Sequence, residues 1–71
     1  MNRINPEKLM RSKWTAIDPV NRKRHFIVTG IIRNDEGFVV GCELEAVITG
    51  KAAQIDWREL KDASRWQMGW K

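Results

Sequence analysis

The 71-residue chain has one cysteine and one histidine. A lone Cys42 cannot close an internal disulfide, and one Cys with one His cannot supply a four-ligand zinc site. No apolar run approaches the length of a membrane span. The N-terminal stretch Met1 to Pro6 has no apolar run behind its charges, so an export signal is not expected. With a free thiol, this points to a cytoplasmic location. A Gly-rich phosphate loop is missing as well: Gly30, Gly37 and Gly41 are spaced for strands and turns. There is no Ser-His-Asp arrangement with a second base. A metal-free enzyme of this size would be rare, so a non-catalytic role is expected, without metal or cofactor.

What the chain does have is tryptophan. There are four, and three of them lie in "DWRELKDASRWQMGWK", Asp56 to Lys71. A chain this short makes a single domain, residues 1–71, and buries only about 60% of its unfolded surface. Without disulfide or metal, large aromatic side chains are the remaining staple. Each buried Trp removes about 150–250 Å² from water. At least two of the four rings are therefore expected in the core.

Asn5-Pro6-Glu7 predicts a helix start of about two turns, with Asn as cap and Pro at the first position. Trp14 to Ile17 reads as a short strand, ended by Asp18-Pro19. Val20 to His25, "VNRKRH", reads as a polar basic loop. Phe26 to Arg33 is rich in β-branched residues and predicts a strand covered on both faces. "NDEG", Asn34 to Gly37, predicts a hairpin turn with a left-handed glycine.

From Phe38 to Thr49 the chain alternates with period two. Phe38, Val40, Cys42, Leu44, Ala46 and Ile48 are expected inside, Glu43 and Glu45 on the solvated side. Gly41 is the expected site of a kink or bulge. After a turn at Gly50-Lys51, Ala53, Ile55 and Trp57 continue inward. The ending allows a helix through Trp57, Leu60, Ala63, Trp66 and Trp70. The favoured alternative is one helical turn capped by Asp62, Ala63 to Trp66, then an extended Gly69-Trp70. The sum is a mainly β fold: a small, strongly bent antiparallel sheet of SH3-like or Tudor-like barrel type, with one helical turn at each end.

The segments "NPEKLMRSKWT", "HFIVTGI", "LEAV", "WREL" and "RWQMGW" resemble the small tryptophan-rich bacterial proteins of unknown function. The matching tryptophans are Trp14, Trp57, Trp66 and Trp70, and the likeness runs from about Asn5 to Trp70. The resemblance implies no reaction, cofactor or partner.

Charge supplies the functional signal. Residues 1–24 hold seven basic side chains against Glu7 and Asp18, an excess of five; residues 25–71 hold six basic against seven acidic. One reading is binding of RNA or single-stranded nucleic acid. Lys13, Arg22, Lys23 and Arg24 would meet phosphates, and Trp70 would stack a base. A second is a protein- or peptide-binding module with Trp66, Met68 and Trp70 lining a groove and Glu43 and Glu45 nearby. The two differ in which charge surrounds the exposed ring. In the plainest reading all four rings are core and the basic run is solvated. A monomer or weak homodimer is expected, with no membrane partner. Cys42, on the apolar face, is expected to be buried and inert. His25 is expected to be an ordinary polar residue at a loop–strand junction.

Overall fold

The computed structural model describes residues 1–20 and 22–71, with Val20 described in its backbone alone. Five strands form one antiparallel sheet: β1 (Lys13–Val20), β2 (Lys23–Arg33), β3 (Val39–Ala46), β4 (Ala52–Ile55) and β5 (Trp66–Met68). Their order is β4-β3-β2-β1-β5. The first four follow as a meander, and β5 returns antiparallel beside β1. β4 and β5 are the two edges, so among the described residues the sheet stays open and does not close into a barrel.

Two short 3-10 helices cover one face, called here the inner face. The first, Pro6–Lys8, starts as its sequence predicts: Asn5 caps it through its side chain and Pro6 opens it. It is one turn, not two. The second, Trp57–Lys61, is capped by Asp56. The expected helical turn is therefore present but falls before Asp62 instead of after it. Residues 63–65 form a turn, and the chain is extended again at Trp66. The N-terminus secures this cover. Asn2 donates through its side chain to the Leu60 carbonyl at 2.8 Å and the Trp66 carbonyl at 2.9 Å.

The core lies under these helices and consists of Leu9, Trp14, Val28, Cys42, Leu44 and Leu60. Trp14 is 1% exposed and Leu60 is fully buried. The Trp14 indole donates to Ser12 Oγ at 2.9 Å, so its polar atom is satisfied inside. Trp57 and Trp66 are half-buried and pack against this cluster. Trp57 points inward as its strand pattern implies, with its Nε1–H donating to the Val39 carbonyl at 3.0 Å. Cys42 has no exposed surface, and burial pushes its thiol up to about 11, aided by Asp56 and Glu59.

Several sequence expectations change in register. β1 does not stop at Asp18-Pro19 but runs to Val20. Its β5 partner covers only Trp14 to Ala16, and pairing with β2 is irregular between Thr15 and Val20. A proline there lacks no needed hydrogen bond. The expected basic loop is largely strand: β2 begins at Lys23, which pairs with Val20, and Arg22 has φ 62°. Asn21, part of that expected loop, lies outside the described residues.

The inward face of β3 also shifts. Phe38 is 65% exposed, Val40 and Ile48 are exposed, and Val39 is buried instead. Ile32 pairs with Gly41 and Arg33 with Val39, so Val40 is the extra residue of a bulge. Gly41 sits beside that bulge, as its sequence position suggested. A Cβ there would come within 2.7 Å of the Ile55 carbonyl, which only glycine avoids. The strand ends at Ala46, and 47–49 belong to the turn that closes at Gly50 with φ 70°. Ala53 pairs with Leu44 and so shares the inner face as expected, but it lies exposed at the sheet edge. β2 is half-buried over most of its length, so its outer face is less covered than its composition implied. The "NDEG" turn forms as expected: Asn34 Oδ1 accepts from Glu36 N and Phe38 N, and Gly37 has φ 87°.

The candidate site: Trp70 and its basic surroundings

The outer face is set by strand register. Lys13 pairs with Ile27, which pairs with Glu45; Thr15 pairs with His25. These side chains share the face opposite Trp14, Val28 and Leu44, because neighbouring residues alternate. The C-terminal segment folds back across it. Gly69, with φ 82°, reverses the direction of the chain after β5. The Thr15 hydroxyl then donates to the Gly69 carbonyl at 2.7 Å and accepts from Lys71 N at 2.9 Å. This explains why Thr15, a polar residue, is buried.

Trp70 is held on this face by three contacts. Its Nε1–H donates to the Phe26 carbonyl at 2.9 Å. Lys13 Nζ lies 4.7 Å from the ring centroid. The His25 ring lies 5.9 Å away, tilted by 35°, and its Nε2 is 3.0 Å from the Lys71 carbonyl oxygen. The indole is nonetheless 43% exposed. A ring fixed through its edge with part of its surface open is the arrangement a stacking platform needs, because little side-chain entropy is left to lose on binding.

The structure divides the sequence-derived candidates. Lys13 and Trp70 come together although 57 positions separate them. Arg24 shares a shallow depression with Thr15 and Gln67, next to the Trp70 segment. Arg22 is exposed. Lys23 departs from the group: it faces a cleft with Ala16, Asp18, Phe26 and Trp66. The groove expected from Trp66, Met68 and Trp70 does not form as one surface. Trp66 pairs with Ala16 and Met68 with Trp14, so both share the Trp14 face, while Trp70 lies on the other. Glu43 and Glu45 are half-buried on the outer face. Glu43 accepts from the Thr29 hydroxyl at 3.2 Å. Glu45 is two strands from Lys13, about 10 Å. His25 is the residue the sequence reading undervalued. Its contact with Trp70 depends on the β1–β2 register and the returning C-terminus, neither of which has a local signal.

Among the described residues no cluster of three His, Cys, Asp or Glu side chains is placed to hold a metal ion, and no helix is long and apolar enough to cross a membrane. No curated protein and no solved structure matches the chain. A family model described as "Tryptophan-rich protein (DUF2389)" matches residues 12–71. It covers all four tryptophans, both β1 partners of Trp70's platform, Lys13 and Thr15, and the whole sheet; only the N-terminal 3-10 turn precedes it. The chain therefore belongs to this tryptophan-rich family, whose function is unknown.

Proposed function

We propose that the protein is a non-catalytic, cytoplasmic binding domain that holds single-stranded nucleic acid, RNA above all, across its outer face. The observation that carries this reading is the half-exposed Trp70 ring with Lys13 Nζ 4.7 Å from its centroid. A base stacks on the open part of the indole, and Lys13 and Arg24 meet flanking phosphates. Positive charge around the exposed ring favours a polyanion over a cationic peptide. Trp66 and Met68 lie on the opposite face, which argues against the aromatic peptide groove.

The test is titration of fluorescently labelled single-stranded RNA at several salt concentrations. Wild type should bind more weakly as salt rises, since each neutralised phosphate releases counterions. Trp70→Ala should weaken binding about tenfold, the loss of one stacked base. The double variant Lys13→Ser/Arg24→Ser should flatten the salt slope by about two units and leave the fold intact. Absence of binding at low salt would overturn the reading.

A further inference from the structure

A second concavity lies away from Trp70. It measures about 500 Å³ and is walled by Asp18 of β1, Lys23 and Phe26 of β2, Arg65, and Trp66 of β5. That volume falls in the roughly 300–1,000 Å³ range of small-molecule sites. Phe26 and Trp66 meet edge to face, with centroids 5.2 Å apart and planes at 83°. Two perpendicular rings make an inside corner, where a planar group can lie on one ring with its edge against the other.

The polar groups of the cleft are mostly donors. Lys23 and Arg65 bring positive charge, and Asp18 is the one carboxylate among the lining residues. Arg65 is only loosely engaged elsewhere, its Nη1 lying 3.8 Å from Glu59. Trp66 differs from the other three tryptophans. Three of the four indoles place their N–H on an oxygen: Trp14 on Ser12, Trp57 on Val39 and Trp70 on Phe26. The Trp66 Nε1–H is shut off from solvent and has no acceptor among the described residues. Buried donors are rarely left so, and each such exception calls for an explanation. An atom closed to solvent is closed to the cleft as well, so Trp66 offers the cleft its ring and not its N–H.

We infer that this cleft is a binding site for a planar anionic ligand of the nucleoside monophosphate class. The base lies in the Phe26–Trp66 corner. The phosphate meets Lys23 and Arg65. Asp18 accepts from a hydroxyl or amino group of the ligand. This site is on the opposite side of the sheet from Trp70 and does not rest on the RNA reading.

Two-dimensional ¹H–¹⁵N NMR resolves the four indole N–H signals, and Trp66→Phe identifies the one that belongs to Trp66. Adenosine monophosphate should move the Trp66 signal saturably while the Trp14 signal stays in place. Arg65→Gln should weaken that response about tenfold, the loss of one charge-assisted contact. It should leave the RNA titration unchanged, because Arg65 is not part of the outer face. Adenosine and inorganic phosphate, added separately, should each act more weakly than the nucleotide. An unmoved Trp66 signal at millimolar nucleotide overturns the inference. So does a response to phosphate alone that equals the response to the nucleotide, or a response in which only the Trp70 signal moves.

Discussion

The two faces of the sheet are finished by different means. The inner face is covered by two 3-10 helices that press Leu9 and Leu60 onto Trp14, Val28, Cys42 and Leu44. The outer face is crossed by a strap, Gly69 to Lys71, held by the Gly69 N–H on the Lys13 carbonyl, a threonine hydroxyl and one indole N–H. Both faces use tryptophan, yet to different ends. Trp14 removes a large apolar surface from water and stabilises the fold. Trp70 is anchored by its edge and leaves part of its ring uncovered. The lesson is that residue type does not assign role in this chain: the same side chain is fully buried on one face and an edge-anchored, half-exposed ring on the other.

The largest expected effect separates these roles. Trp14→Ala should cost about 3–5 kcal/mol, the range for removing a fully buried large aromatic. That approaches the whole stability of a domain this small. Trp57→Ala, half-buried, should cost about 2–3 kcal/mol. Trp70→Ala should cost about 1 kcal/mol, one hydrogen bond and partial packing. Thermal melting followed by circular dichroism checks the ranking. A Trp70 variant as unstable as the Trp14 variant would break the comparison.

Next comes the strap. Thr15→Val keeps the shape of the side chain and removes the hydroxyl that holds Gly69 and Lys71. It should cost about 1–2 kcal/mol, because two hydrogen bonds are lost. The Trp70 indole signal should lose its distinct position while that of Trp14 is unchanged, and RNA binding should weaken. An unchanged Trp70 signal would mean that Lys13 and Phe26 hold the ring without Thr15.

The inner face was more legible in the sequence than the outer one, for physical reasons. Cys42, Leu44, Trp57 and the "NDEG" turn carry local signals: alternation, and the conformations that Asn and Gly favour. Phe38 and Val40 were misplaced because the Val40 bulge shifts the strand face without changing the local pattern. Asp18-Pro19 suggests a break because proline restricts the residue before it, yet β1 continues because β5 reaches only Ala16 and the pairing with β2 is irregular between Thr15 and Val20. The basic run read as a loop because charge counts do not reveal that Val20 pairs with Lys23. The assembly of Lys13, His25 and Trp70 depends on register and on the reversal at Gly69. Trp66 and Trp70 looked like one surface only because they are close in sequence.

Cysteine chemistry sharpens the contrast without touching stability. Cys42 lies on the inner face, fully buried, with its thiol pushed up to about 11. Thiolate is the reactive form. A maleimide should therefore label Cys42 slowly in the folded protein and rapidly after denaturation. Fast labelling of native protein would show that the inner cover opens often.

The smallest expected effect is on acid stability, and it belongs to the inner face. Among the described residues Glu7, Asp56 and Asp62 are held below their ordinary range, and all lie on the segments that make or flank the inner cover. Asp56 is the clearest. Its side chain accepts from the Arg58 guanidinium and from Arg58 N, which hold its carboxyl down to about 2 from 3.8. A group with a lowered folded pKa stabilises the fold above its unfolded value and loses that contribution as pH falls through the folded one. The Asp56 contribution is therefore complete above about pH 4 and fades between pH 4 and about pH 2. The group is exposed, so the loss should be modest and should shrink in high salt. Asp56→Asn keeps a capping side chain and removes the titration. Its melting temperature should fall less steeply than wild type between pH 4 and 2. In the same interval the indole signals of Trp14, packed with Leu60 under the second 3-10 helix, and of Trp57, the first residue of that helix, should respond before that of Trp70. If Trp70 moves first, the outer strap and not the inner cover is the acid-sensitive element.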